Sequence, residues 1–186
     1  MRNDNDIIEA LKKGARDAQE ELVMRYMQRI CNFIATIVPN RQDAEELTQD
    51  TFLALFANAH RYDIQQNTLA SLMYRIAYNK AHNFLRRSRI KTVPIDEATV
   101  DSLVSQEDYS DAEFVDIKEQ RRLELERLMK ALSQREQAIM MLYYYEGRKV
   151  ADIAYILDTT PKAVYNRLYR IRKELQIQVS KNQQSQ

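Results

Sequence analysis

The chain has 186 residues, enough for one ordinary domain or two small ones, and only two glycines and three prolines interrupt an abundance of good helix formers. That composition predicts an almost wholly α-helical protein, while the formal net charge of +1 names no partner. No apolar run approaches the ~18–20 residues of a membrane span, the start MRNDNDIIEA holds no cleavable hydrophobic segment, and Cys31, His60 and His82 form no ligand-spaced cluster. A membrane-inserted protein, an internal disulfide and a structural metal are therefore not expected, and neither is a cofactor; a cytoplasmic location is.

In chain order, Asp6 is placed to cap a short helix. A longer helix follows with Leu22, Tyr26, Ile30, Phe33, Ile34 and Ile37 on one face, stopping at Pro39-Asn40. The next helix, residues 42–58, turns Ala44, Leu47, Thr51, Phe52, Leu55 and Phe56 inward and leaves Asp43, Glu46, Gln49 and Asp50 outside. After a polar loop over residues 60–67, a helix over residues 68–87 is expected to bury Leu69, Met73, Ile76, Ala77, Ala81 and Phe84, its other face alternating bases and aromatics.

Residues 92–118 contain Pro94, many acids and serines and no clear helical repeat, and read as a linker between two helical units. Charge divides at the same places. Residues 1–91 hold 14 basic and 11 acidic groups, residues 92–118 hold one and eight, and residues 119–186 hold 13 and eight. Two basic bodies thus flank an acidic strap, and local clusters of Lys and Arg bind phosphate whatever the overall charge.

In the second unit Ser133-Gln-Arg-Glu136 is a capping box that opens a helix burying Ala138, Ile139 and Leu142 and stopping at Gly147. A short helix through Val150, Ile153, Ala154 and Leu157 meets a tight turn at Asp158-Thr159, and Thr160 then caps a helix with Pro161 at its first position. This is a helix-turn-helix layout. Val164, Leu168, Ile171 and Leu175 pack, which leaves Lys162, Tyr165, Asn166, Arg167, Tyr169 and Arg170 facing out.

Three constellations have a functional reading and a plainer one. Residues 160–175 carry five bases against one acid, lopsided for simple solvation of a hairpin and suited to a helix that reads duplex DNA. Arg75, Tyr78, Asn79, His82, Arg86, Arg87, Arg89 and Lys91 lie in a stretch with six bases and no acid, which suits unpaired DNA stacking on aromatics; equally, the tyrosines can be core rim. Asp43, Glu46 and Asp50 share a face that fits a metal set, a partner surface or solvated helix, and residue chemistry alone favours solvation because no converging ligand is visible. Cys31 reads as a small core residue.

Taken together these residues resemble the extracytoplasmic-function sigma factors of the sigma-seventy superfamily. Residues 41–53, RQDAEELTQDTFL, are similar to that family's core-polymerase-binding helix, which implies docking through Asp43, Glu46, Gln49, Asp50 and Leu53. LMYRIAYN at 72–79 and NFLRR at 83–87 resemble the helix that captures the melted minus-ten element, implying contacts from Arg61, Tyr62, Asn67, Arg75, Tyr78, Asn79, His82, Arg86 and Arg87 and a base-selecting loop over residues 61–68. LSQR at 132–135, DIA at 152–154 and the following helix resemble the minus-thirty-five reader, implying Thr160, Lys162, Tyr165, Asn166, Arg167 and Arg170. The chain departs from the pattern at Leu72, where the family usually has tryptophan, at Asp158, where glycine is common, and at Lys149, which replaces a Ser or Thr cap.

The resemblance implies three segments: residues 1–91 as a region 2-like domain, 92–118 as the acidic linker and 119–186 as a region 4-like helix-turn-helix domain. It implies core RNA polymerase, promoter DNA and an anti-sigma factor as partners, no small-molecule substrate, no catalysis, and a monomer when free. Two rival readings stay open on the sequence: a stand-alone helix-turn-helix regulator, and a helical adaptor that binds only protein.

Overall fold

In the computed structural model, which describes residues 2–62, 68–91, 129 and 131–183, all regular structure among the described residues is helical. Helix α1, Asp4–Lys12, is capped by Asn3, whose Oδ1 accepts from the Asp6 amide at 2.9 Å. Asp6 is thus inside the first turn, favourable there against the helix dipole, and is not the cap. Gly14, at φ +73°, turns the chain into α2, Arg16–Ala35.

Helix α2 buries Leu22, Tyr26, Ile30, Phe33 and Ile34, the expected stripe. The Asn40 side chain then caps α3, Arg41–Ala57, by accepting from the amides of Gln42 at 2.8 Å and Asp43 at 3.2 Å. Ala44, Leu47, Thr51, Phe52 and Leu55 face the core, and the buried hydroxyls of Thr48 and Thr51 each donate to the carbonyl four residues back at 2.7 Å.

A single 3-10 turn, Ala59–Arg61, precedes α4, Leu69–Lys91. This helix is buried on a wider arc than one stripe. Tyr74 and Tyr78 turn inward with Leu69, Leu72, Met73, Ala77 and Ala81, whereas Ile76 and Phe84, expected inside, are only half-buried. The cause is packing on several sides, against α2 and α3 and against a helix of the second unit. Phe33 meets Tyr74 edge-on, ring centroids 5.1 Å apart, and full burial of such side chains stabilises by roughly 1.5–3 kcal/mol each. Leu72 fits inside this packing at 8 % exposure.

Among the described residues of the second unit, Met129 and Ala131 are helical, and α5, Gln134–Met140, follows and continues as a π turn, Met141–Tyr145, before Gly147 at φ +61° reverses the chain. Helices α6, Val150–Ile156, and α7, Pro161–Gln183, form the helix-turn-helix. Asp158 adopts φ 50° in the turn, a conformation aspartate reaches more readily than most residues, and the Thr160 hydroxyl accepts from the Ala163 amide at 3.2 Å. Lys149 precedes α6 with no side-chain cap bond. Val164, Leu168 and Ile171 are buried, with Leu175 half-buried behind them.

The two units touch through α4 and α6. Arg75 lies over the Tyr155 ring at 4.4 Å, Arg148 lies over the Tyr74 ring at 5.2 Å, and Arg29 is bonded to Glu146. The strap expected over residues 92–118 lies outside the described residues.

Candidate nucleic-acid interface

Helix α7 carries the clearest outward surface. Because its packing residues recur on one face, Lys162, Tyr165, Asn166, Tyr169 and Arg170 are all exposed, as is Thr160 at the cap, and Arg167 is half-buried. Tyr165 and Tyr169 are each 63 % exposed, an uncommon state for a tyrosine that packs. Behind them, Glu136 of α5 is buried and receives Arg167 Nη1 at 3.1 Å and Arg170 Nη2 at 2.9 Å on the same oxygen, Oε1. Its Oε2 accepts from the Ser133 amide at 2.9 Å and from the Ser133 hydroxyl, completing the capping box foreseen in the sequence. Burial pushes the Glu136 carboxyl up, but the bonds from Ser133, Arg170 and Arg167 together outweigh it and hold the group at about 2.

The second face, on α4, is divided. Asn79, His82, Arg86 and Arg87 are exposed, and so is Arg61. Arg75 is half-buried between Tyr155 and Asp158, with Nη2 3.4 Å from Asp158 Oδ1. Tyr78 is only 9 % exposed and stacks on His82, centroids 5.9 Å apart. Burial, with Tyr155 close by, pushes the Tyr62 hydroxyl up. Tyr62 and Arg75 therefore lie beside α6, and Tyr78 and His82 line a groove closed on its far side by Leu132, Gln134 and Arg135. The alternation of bases and aromatics on the outward face is thus interrupted: Arg86 and Arg87 face out, Arg75 is half-buried against the second unit, and Tyr78 belongs to the core rim. Asn67 and the side chains of Arg89 and Lys91 lie outside the described residues.

The third face is on α3. Glu46, Gln49, Asp50 and Leu53 are exposed on successive turns, with Asp43 half-buried beside them. Leu53 is 64 % exposed, so an apolar side chain stands at the end of an acidic row. Lys80 of α4 reaches Asp50 Oδ2 at 3.3 Å, and Lys80 and Arg87 line the same groove as Asp43, Glu46 and Asp50. Lys80 thus partners Asp50, and among the described residues no cluster of three or more His, Cys, Asp or Glu could hold a metal ion. Cys31 is half-buried.

Several residues that shape these faces were not singled out by sequence reasoning. Glu136 was visible only as a cap, and its arginine partners lie 31 and 34 residues away. Glu146 and Arg148, which join the units, carry no sequence motif.

The chain that forms this helical bundle and the helix-turn-helix with its basic outward face matches known families over both units. Residues 22–90 match Sigma-70 region 2, and residues 122–175 match Sigma-70, region 4. Over 182 residues the chain is 29 % identical to the RNA polymerase sigma factor CarQ of Myxococcus xanthus, covering 94 % of this chain and 100 % of that protein. It is 24 % identical over 156 residues to the ECF RNA polymerase sigma factor SigM of Bacillus subtilis, covering 84 % and 91 %. It is 26 % identical over 179 residues to the ECF RNA polymerase sigma-E factor of Escherichia coli, covering 92 % of each. Among solved structures the fold is similar to CnrH in complex with the cytosolic domain of CnrY, with a TM-score of 0.67 at 20 % identity over 95 % of this chain and 97 % of that one. It is also similar to the sigma factor RpoE in complex with the anti-sigma factor NepR from Bartonella quintana, with a TM-score of 0.64 at 19 % identity over 87 % and 96 %.

The two matched regions make it a transcription initiation factor of the sigma-70 class. Within that class, the chain belongs to the extracytoplasmic-function family of alternative sigma factors. No helix among the described residues is long and apolar enough to cross a membrane.

Proposed function

We propose that this sigma factor divides its work among the three faces described above. The α3 row of Asp43, Glu46, Gln49, Asp50 and Leu53 docks on core RNA polymerase. Arg61, Tyr62, Asn67, Arg75, Tyr78, Asn79, His82, Arg86 and Arg87 engage the melted minus-ten strand, with phosphate contacts dominating because Tyr78 offers little free ring. Thr160, Lys162, Tyr165, Asn166, Arg167 and Arg170 bind the minus-thirty-five duplex. Residues 1–91 and 119–186 act as the two functional segments, joined by the acidic stretch 92–118.

The observation that carries this reading is α7: a capped helix behind a tight turn, its apolar side packed and the opposite side of its first turns, residues 162–170, mainly polar, aromatic and basic. A solvated hairpin has no need of two tyrosines at 63 % exposure among its bases. The exposed Leu53 in an acidic row supports docking on protein in the same way.

In this reading the chain works in the cytoplasm as a monomer until it meets polymerase, performs no catalysis of its own and uses no cofactor. An anti-sigma protein is its negative regulator. Each DNA site is weak alone, and attachment of both to one polymerase raises the effective concentration of the second once the first is bound. The direct test measures binding of promoter duplex by the free chain and by the chain with core enzyme. Sequence-selective binding that depends on core supports the reading, equally tight selective binding without core points to a stand-alone regulator, and no salt-dependent DNA binding in either mixture points to a protein-only adaptor.

A further inference from the structure

Glu136 is a buried acid whose two oxygens serve different elements. Oε2 closes the capping box at Ser133 and so fixes the start of α5; Oε1 takes one N–H from each of Arg167 and Arg170 of α7. Capping requires only the first of these. A glutamine at this position serves a capping box equally well, so the cap does not account for the charge.

The charge has its consequence on α7. Arg167 and Arg170 are three residues apart, on adjacent turns, and each has five N–H donors on a long, rotamer-rich side chain. Free in solvent, such side chains sample many rotamers, and that freedom is lost on meeting a base edge. With one N–H of each held at 3.1 and 2.9 Å by the same oxygen, both side chains are restricted to rotamers that reach Glu136. Their side chains remain 39 % and 54 % exposed, so the remaining donors are open to a ligand. The two guanidiniums share one buried carboxylate, and Arg170 also lies 3.7 Å from the exposed Glu174.

We propose that Glu136 is a positioning residue for promoter recognition: by clamping Arg167 and Arg170 it pre-orients the two arginines that α7 presents to the minus-thirty-five duplex. The role rests on the reading of α7 as the duplex-reading helix. It makes α5 part of the reading apparatus, although α5 itself presents no DNA-facing residue in the proposed site.

The test uses holoenzyme reconstituted from core polymerase with the full chain, the Glu136→Gln variant, or the Ser133→Ala variant as a control that damages the same cap but leaves both arginine bonds. Initiation is measured from a preferred promoter and from the same promoter with single base substitutions in the minus-thirty-five element. Glu136→Gln is expected to lower discrimination between the two by about tenfold, the scale of one well-formed arginine–base contact. It is also expected to steepen the salt dependence of binding, since a negative charge beside two arginines is removed. Ser133→Ala is expected to keep the discrimination of the unaltered chain. Equal discrimination by Glu136→Gln and the unaltered chain overturns the positioning role while leaving the reading of α7 intact. Absence of any minus-thirty-five preference in the unaltered holoenzyme overturns both. Should Glu136→Gln fail to fold, the arginine side-chain N–H signals of the unaltered chain decide by nuclear magnetic resonance: resolved, slowly exchanging signals for Arg167 and Arg170 support the clamp, and averaging with the exposed arginines rejects it.

Discussion

Arg29 of α2 donates through both Nε and Nη2 to Oε2 of Glu146, 117 residues further along the chain, and the Glu146 side chain is only 6 % exposed. The contact fastens the end of the π turn to the first helical unit, next to the stacked pair of Tyr74 and Arg148. A second bridge between the units, Arg75 to Asp158, is longer at 3.4 Å and its carboxylate is 83 % exposed. Burial decides which of them matters, since exposed ion pairs contribute about 0–1 kcal/mol while bonds to a desolvated charge contribute about 1.5–3 kcal/mol. Urea unfolding is expected to show Glu146→Ala destabilised by about 1–3 kcal/mol and Asp158→Asn, which keeps a residue tolerant of positive φ, by less than about 1 kcal/mol. The reverse order would show that the units are held through the turn of the helix-turn-helix.

The same contact bears on DNA access. Tyr62, Arg75 and Tyr78, three of the residues assigned to the melted strand, lie beside or beneath the second unit in this arrangement. Loosening the units through Glu146→Ala is therefore expected to raise the affinity of the free chain for a single-stranded oligonucleotide severalfold, on the stacking and phosphate contacts thereby exposed. Unchanged affinity in a fluorescence anisotropy titration would place the strand on the exposed side of α4 alone, at Asn79, Arg86 and Arg87.

Glu136 gives a pH prediction with a definite sign. Its folded-state value of about 2 lies below the ordinary 4.5, so the carboxylate contributes stability that is fully present above about 4.5 and is lost as the pH falls through that value toward 2. Glu136→Gln is expected to remove this part of the acid dependence, giving a shallower loss of thermal stability between pH 4.5 and 2 than the unaltered chain shows. Parallel curves would mean that other carboxylates carry the acid transition.

On α7 two substitutions should separate positioning from reading. Lys162 is exposed at the first turn, and Lys162→Ala is expected to weaken holoenzyme binding to all promoters alike while reducing the salt slope by about one phosphate contact. Asn166→Ala is expected to relax preference at one base pair, a change of about 1–3 kcal/mol, without altering the slope. Competition binding at two salt concentrations distinguishes the two patterns.

How far the sequence could be read follows from the range of each interaction. The Ser133 and Glu136 cap, the Thr160 cap, the stop at Gly147 and the inner faces of α2, α3 and α7 all rest on residues within a few positions of each other, and each was legible. Asn3 rather than Asp6 caps α1 because Asn3, Asp4, Asn5 and Asp6 are all cap-forming residue types in succession, and residue type alone does not say at which of them the helix begins. Tyr78 at the core rim is one of the two readings the sequence leaves open, whereas the complete burial of Tyr74 was hidden because α4 is covered by two units and a single-stripe pattern anticipates only one. The π turn at Met141–Tyr145 has no signature in the run MLYYY. In the candidate site, the outward residues of α3 and α7 could be named from periodicity and resemblance, but the pairing of Glu136 with Arg167 and Arg170 and of Arg29 with Glu146 depends on chain geometry across 31 to 117 residues.

Run-off transcription from a promoter library shows whether this chain confers promoter-specific initiation through a polymerase-docking face on α3. Core polymerase alone, the chain alone, both together, and core with a Gln49→Ala, Asp50→Ala double variant are compared. Both substituted side chains are exposed, so the variant is expected to fold with stability within about 1 kcal/mol of the unaltered chain. Discrete start sites are expected only when core and the unaltered chain are combined, and their loss is expected with the double variant. Discrete start sites that persist undiminished with the folded double variant would contradict the assigned docking face, and no start sites from core with the unaltered chain would contradict promoter-specific initiation by this chain.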